Sequence, residues 1–398
     1  MEKLNYSHII IRYAELNTKG KNRRVFISLL LNNIKQQLKT FKNLKYVKTH
    51  DRLFIDLNGE DYHEISKVLD CVFGLSSYSV AIKSSLELEE IQKISLFLVK
   101  ADNYQTFKMQ TKRQDKHFYM NSAQINVAVA GYILKNHDIK VDVHKPDVLI
   151  KIEVRNDAAY IMSNKIKGLG GFPVGVNGKC LMMISGGIDS PVASFMTMKR
   201  GLRIECIHFE SSPYTSIEAI NKVLSLVKIL TKYQVQIKVH IIPFTKLQLA
   251  IYQNADESYA ITIMRRMMYR IADRIANEHK ILALSNGESV GQVASQTVES
   301  SYVIGMCTDK VIYRPLAMLD KVEIIDKAKM IDTYETSILP FEDCCTIFDP
   351  KDPVTKPKLK ECLFFEAKFD YEALIDEAIA NEQVKLIDHF EKDEEDYL

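Results

Sequence analysis

Residues 181–195 read LMMISGGIDSPVASF. An apolar run stops at a turn of Ser185, Gly186, Gly187, Ile188, Asp189 and Ser190, and Ser190-Pro191 opens a helical pattern that Gly201 follows. Glycines let successive backbone N–H groups approach a ligand, and the helix adds its positive N-terminal end; together they make an anion site. No Gly-Lys-Ser/Thr follows, so this is not the ATPase P-loop, and neither GxGxxG nor GxSxG occurs here. Ser185 and Ser190 bracket the turn and can donate hydroxyl bonds to phosphate. Asp189 would repel phosphate unless a cation lay between, which marks it as a Mg²⁺ or metal-water contact. The plain alternative is a strand–helix turn of small residues with a capping Asp.

Outward from this loop, strand-like runs recur near 180–185, 203–209, 235–242, 281–285 and 311–314, with helical patterns between them. Such alternation predicts an α/β domain with a doubly wound parallel sheet, covered on both faces. Ligands bind at the carboxyl ends of such strands, where the glycine turn sits. Upstream, NKIKGLGGFPVGVNG at 164–178 places five of the chain's fifteen Gly between Gly168 and Gly178 and reads as a linker. Before it, SHIIIRY at 7–13 reads as a strand, with a helix near 22–38. Around 104–162 the order strand, helix, strand, strand, strand is expected, with VDV at 141–143 strand-like and Asn156-Asp157 turning into AAYIM. That half is α+β and divides into two small units.

The chain has 398 residues and a net charge of +2. Residues 1–50 carry eleven Lys or Arg against two acids, and residues 361–398 carry thirteen acids against three Lys. The basic head points to a polyanion such as RNA; the acidic, helix-like tail should face away from it. No apolar run reaches the roughly 18–20 residues of a membrane span, and the first residues lack a signal-peptide pattern. A cytoplasmic protein with no membrane contact is expected. The seven Cys include no CxxC, which speaks against a disulfide framework or a zinc site.

SGGIDS resembles the PP-loop of the ATP pyrophosphatases, in which AMP is joined to an acceptor oxygen and pyrophosphate leaves. Longer stretches are similar to one branch, the tRNA 4-thiouridine synthases (tRNA uracil 4-sulfurtransferases): IIIRYAELNTKGKNR at 9–23, VFGLSSYS at 72–79, NGESVGQVASQTVES at 286–300, RPLAMLDKVEII at 314–325 and SILPFEDCCTIFDPKDPVTKPKL at 337–359. The resemblance implies an N-terminal ferredoxin-like domain (1–58), a THUMP RNA-binding domain (59–165), the linker (166–178) and a PP-loop domain (179–398). It implies MgATP, tRNA and a cysteine desulfurase as persulfide donor. A homodimer is expected, and a thiamine-pathway sulfur carrier protein is a further candidate partner.

Met183 and Ile184 end the first strand of that domain, and by the resemblance their backbone faces adenine. His208 and Phe209 end the next strand at the same sheet edge, where a ring can pack on a base. Ile261, Met264, Met268, Ile271 and Ile275 form one apolar helix stripe. Arg266 lies opposite it, Arg270 well away, and Arg265 about 80° from its centre. The family places an ATP-binding Arg at Arg265; periodicity alone leaves it a boundary residue. Gly287 suits close nucleotide approach and Gln296 offers an amide to base or ribose. Lys321 can neutralise charge on phosphate or on activated uracil; alone it reads as a solvated Lys at a helix start. The family's catalytic Cys matches Cys344, with Cys345 the alternative, both in a Pro- and Asp-rich segment where a thiol is open to reaction. Lys19, Lys21, Arg23 and Arg24 form one basic cluster. Lys108, Lys112, Arg113 and Lys116 form another, with Phe107, Phe118 and Tyr119 as stacking candidates.

The expected reaction is therefore adenylation of uracil O4 at position 8 of tRNA, followed by attack of a Cys344 persulfide to give 4-thiouridine. Only about 50 residues follow Cys345, too few for the rhodanese domain that some relatives add, so direct loading by the desulfurase is expected. The thiol that resolves the persulfide stays open among Cys345, Cys362 and an external reductant. Two rivals remain: another PP-loop enzyme such as a tRNA 2-thiolase, and an RNA-binding module without catalysis.

Overall fold

The computed structural model describes residues 5–13, 22–293, 295–341 and 352–391. They form two compact units, residues 1–172 and 173–398. The dividing point falls inside the glycine-rich stretch.

In the first unit the chain runs β1 (His8–Tyr13), α1 (Arg23–Gln37), β2 (Lys45–Lys48), β3 (Arg52–Asp56), α2 (Tyr62–Leu69), β4 (Leu75–Ser84), α3 (Leu88–Val99), β5 (Thr106–Arg113), α4 (Ser122–Asn136), β6 (Lys140–Val141), β7 (Val148–Val154), β8 (Ala159–Met162) and β9 (Ile166–Lys167). All nine strands belong to one sheet, ordered β2-β3-β1-β4-β8-β7-β5-β6, with β9 on β4. The ten-residue β4 makes the sheet continuous. Its residues up to Ala81 pair with β1, and Ile82 to Ser84 pair with β8. VDV shrinks to the short β6, because Asp142 turns back to accept the backbone N–H groups of His144 and Lys145.

The second unit runs β10 (Lys179–Met183), α5 (Asp189–Lys199), β11 (Arg203–Glu210), α6 (Ile217–Leu230), β12 (Gln236–Pro243), α7 (Thr245–Asn254), α8 (Glu257–Glu278), β13 (Ala283–Ser285), α9 (Val298–Gly305), β14 (Val311–Tyr313), α10 (Lys321–Met330), α11 (Tyr334–Ser337), α12 (Leu359–Glu366), α13 (Tyr371–Ala380) and β15 (Gln383–Asp388). The sheet order is β14-β13-β10-β11-β12-β15, parallel except for β15. Helices α5, α6 and α10 form one layer, and α7, α8, α12 and α13 the other. Successive strands leave β10 first on one side, to β11 and β12, and then on the other, to β13 and β14. The carboxyl end of β10 is thus the topological switch point of the sheet, where open α/β sheets bind ligands. SGGIDS occupies that point.

Two expectations change. The acidic tail is not helical throughout: QVKLID forms β15, which closes the sheet edge antiparallel to β12. Arg266, expected on the open face of α8, is 2% exposed. Helices α9 and α12 cover that face, and Glu366 accepts from Arg266 Nη2 at 3.2 Å. A carboxylate from a later helix thereby pairs a charge that the apolar period would have left in water.

Candidate active site

The turn after β10 is closed by its own serines. Ser190 Oγ accepts the Ser185 N–H at 3.0 Å and donates to the Ser185 carbonyl at 3.0 Å. Gly187 N–H points to Ser185 Oγ at 3.4 Å. The Ser190 hydroxyl is thus spent on loop shape and is buried, while Ser185 is half-buried at the turn. Asp189 begins α5, where the helix dipole favours a negative charge.

Asp189 is held from two sides. Lys321, the first residue of α10, donates from Nζ to Oδ1 at 2.6 Å. Gln292 Nε2 donates to Oδ2 at 2.8 Å. A capping box between Asp320 and Glu323 fixes the helix start that carries Lys321. Gly287 fits the loop beneath: a Cβ there would lie 2.8 Å from Ser190 N and 2.9 Å from the Asp189 carbonyl carbon. The close approach that Gly287 permits is therefore to the backbone of the glycine turn itself.

A second charged group borders the first. Arg265, 15% exposed at its side chain, pairs with Glu288 and donates from Nη1 to the Ser295 carbonyl at 3.1 Å. Glu288 also accepts from Arg314 Nε at 2.7 Å. Its backbone N–H is turned by Asn286 Oδ1 at 3.1 Å, and Asn286 Nδ2 donates to the Tyr269 hydroxyl. Gln292 Oε1, Gln296 Oε1 and Arg314 Nη2 are buried and have no hydrogen-bond partner among the described residues. Such atoms are rare in folded proteins, and these three lie together on the loop and strand end that border the glycine turn. Glu288, Gln292 and Arg314 do not stand out in the sequence. The signal is present in NGESVGQ, but an isolated acid and amide carry no periodicity.

The strand ends contribute differently. Ile184 is buried, and its carbonyl lies 3.1 Å from His208 Nδ1, so the imidazole ties β11 to the turn. Met183 is half-buried against the apolar core. The Phe209 ring packs edge-on against Phe244 at 5.3 Å within that core.

In the first unit, Arg23 donates from Nη2 to the His50 carbonyl at 2.7 Å, and Arg24 is exposed beside it. Lys108 and Lys112 stand on one face of β5, with Lys108 Nζ donating to the Val143 carbonyl at 2.8 Å. Arg113 donates to the Phe118 carbonyl at 3.1 Å, and Lys116 is exposed. Phe107 and Phe118 are core residues; of the three aromatics, Tyr119, at 70% exposure, is the one open to a base. Lys19, Lys21, Cys344 and Cys345 lie outside the described residues.

The second unit matches the family model of the thiamine biosynthesis protein (ThiI) over residues 175–371. The first matches the ThiI ferredoxin-like domain over residues 8–79 and the THUMP domain over residues 87–164. Among solved structures, a 4-thiouridine synthetase determined as an RNA complex with bound ATP aligns with a TM-score of 0.91 at 36% identity, covering 96% of this chain and 100% of that one. This chain belongs to the 4-thiouridine synthetase family. PH1313 from Pyrococcus horikoshii Ot3 aligns with a TM-score of 0.65 at 24% identity over 82% of this chain and 99% of its own, and shares the fold. The expected ferredoxin-like, THUMP and PP-loop architecture is thus that of the 4-thiouridine synthetase family.

Among the described residues no helix is long and apolar enough to cross a membrane.

Proposed function

We propose that the chain is an ATP-dependent tRNA sulfurtransferase that makes 4-thiouridine at position 8 of tRNA. The observation that carries this reading is the meeting of Asp189, Lys321 and Gln292 over a glycine turn at the switch point of the sheet. The solved relative at 36% identity, a 4-thiouridine synthetase with RNA and ATP, supports it.

In this reading the amides of the Gly186–Gly187 turn and the N-terminus of α5 hold the β,γ-phosphates of ATP. Gln296 and Arg314, with their unpartnered buried atoms, and Arg265 serve ribose, base or phosphate. Asp189 is the carboxylate that would hold Mg²⁺ brought in with ATP, once Lys321 or Gln292 gives up one of its oxygens; Mg²⁺ there would offset the polyphosphate charge. Lys321 moves between Asp189 and the charge that builds on the α-phosphate or on O4.

Uridine O4 attacks the α-phosphate, and pyrophosphate leaves. The terminal sulfur of a persulfide on Cys344 then attacks C4, and AMP departs with O4. A second thiol attacks Sγ of Cys344, breaking the S–S bond; the bond's electron pair stays on the nucleobase sulfur and a disulfide forms. A cysteine desulfurase supplies the persulfide.

Arg23, Arg24, Lys108, Lys112, Arg113 and Lys116, with Lys19 and Lys21, supply salt-dependent phosphate affinity for tRNA. The thiamine description of the matched family model favours a second outlet, sulfur transfer to a carrier protein of that pathway.

The test is nucleoside mass spectrometry after incubation with tRNA, MgATP and a persulfide donor. 4-Thiouridine in the wild type and its loss in Cys344→Ser, with tRNA binding kept, support the proposal. 2-Thiouridine would assign a different PP-loop chemistry, and AMP formation without modified tRNA would remove the sulfurtransferase reading.

A further inference from the structure

Glu205, His240 and His279 converge away from the glycine turn, on the face of the sheet covered by α8. Their ligand atoms lie within 4.8 Å of one another. His240 Nε2 is 3.4 Å and His279 Nδ1 3.8 Å from Glu205 Oε2. In a tetrahedral zinc site with bonds of about 2.0–2.2 Å, neighbouring donors stand about 3.3–3.6 Å apart. The two distances through Glu205 are close to that spacing.

The surroundings are arranged as around a metal ligand. His240 is fully buried, and its other nitrogen, Nδ1, meets the Glu382 carboxylate. That contact fixes the ring and presents Nε2, as in carboxylate–histidine–zinc arrangements. Glu205 gives its other oxygen, Oε1, to Lys179 Nζ at 2.9 Å, leaving Oε2 for the two imidazoles. Lys238 Nζ stands 3.7 Å from Oε2 on a half-exposed side chain and can turn to water. The His279 side chain is 28% exposed, so an ion has a way in.

We propose that Glu205 Oε2, His240 Nε2 and His279 Nδ1 bind a zinc ion, with water in the fourth position and Glu382 behind His240. Two nitrogens and a carboxylate suit zinc, which takes such sets tetrahedrally. The ion joins β11, β12 and the end of α8, and through Glu382 the residue before β15. It ties these elements together at the opposite end of the strands from the glycine turn.

The test uses the full chain carrying Cys344→Ser and Cys345→Ser, which removes two loop thiols as competing ligands. After chelator dialysis, zinc is titrated against a chromophoric chelator, and cobalt is added separately to read coordination by absorption. One tight equivalent is expected, with a tetrahedral cobalt spectrum free of thiolate bands. Glu382→Gln should weaken zinc by about 10–100-fold, and His279→Gln by more. His279→Gln should keep its circular dichroism and lose the rise in melting temperature that zinc gives the parent. Absence of tight zinc binding, or binding unchanged by His279→Gln, overturns the proposal.

Discussion

Lys321 Nζ lies 2.6 Å from Asp189 Oδ1, so the first residues of α10 and α5 meet although 132 positions separate them in the chain. Read in sequence, each residue has its own task beside phosphate. The structure pairs them, so the ammonium and carboxylate act as a unit with Gln292. Lys321→Gln should lower ATP-to-AMP turnover and 4-thiouridine yield by about 10²–10³-fold, the usual loss when one preorganised electrostatic group is removed. tRNA affinity should be unchanged. Single-turnover assays with filter binding measure both. Normal turnover in Lys321→Gln would make the pair a mere fastening between helices.

Gly287 offers a steric test of the same site. A methyl group here would press on Ser190 N and the Asp189 carbonyl carbon, both main-chain atoms. Neither can rotate aside, so the turn must shift. Gly287→Ala should cost about 1–3 kcal/mol in stability and raise the KM for ATP more than it lowers kcat. Urea melts and ATP titration at saturating tRNA read the two effects.

Much of this arrangement is legible in the chain because it is local. LMMISGGIDSP states strand, turn and helix within a few residues, and the alternation after it places the turn at a sheet edge. Asp189 stands out in the sequence and Lys321 only through the family resemblance, but their contact does not, since no pattern links residues so far apart. Glu288 and Gln292 escape because they act only through Arg265, Arg314 and Asp189. Arg266 departs from expectation for a related reason: helical period tells which face is apolar, and cannot tell that Glu366 will cover the other. Phe107 and Phe118 sit in a basic segment yet pack inward, Phe107 as alternate β5 residues do and Phe118 from the turn between β5 and α4.

The Arg266–Glu366 pair gives a stability prediction. Both side chains are 2% exposed, and Arg270 adds a contact to Glu366 at 3.0 Å. Removing one partner strands a buried charge. Glu366→Ala should destabilise the second unit by about 3–5 kcal/mol. The double variant Arg266→Met/Glu366→Met should lose much less, since no fully buried charge is left unpaired and Arg270, 23% exposed, can turn to water. Denaturant midpoints of the three proteins decide this; equal losses in the single and double variants would mean that packing matters here more than charge.

The thiols give the last. Burial pushes Cys362 up to about 11 and Cys180 up to about 12, and raises Cys206 and Cys307 as well. A raised thiol such as Cys362 stays protonated at pH 8. Such a group attacks a persulfide sulfur slowly and reacts slowly with alkylating agents. The native fold also holds the proton more tightly than the unfolded chain. Stability should therefore fall as pH rises above the ordinary thiol value of 9.0. At pH 8, iodoacetamide should modify Cys344 and Cys345 well before Cys180, Cys206 or Cys362, as peptide mass spectrometry would show. On the persulfide route proposed above, Cys362 would be a poor resolving thiol, and Cys362→Ser should keep multiple-turnover thiolation. Were that variant to stop after one turnover, the helix carrying Cys362 would have to open during each cycle to bring its sulfur to the persulfide.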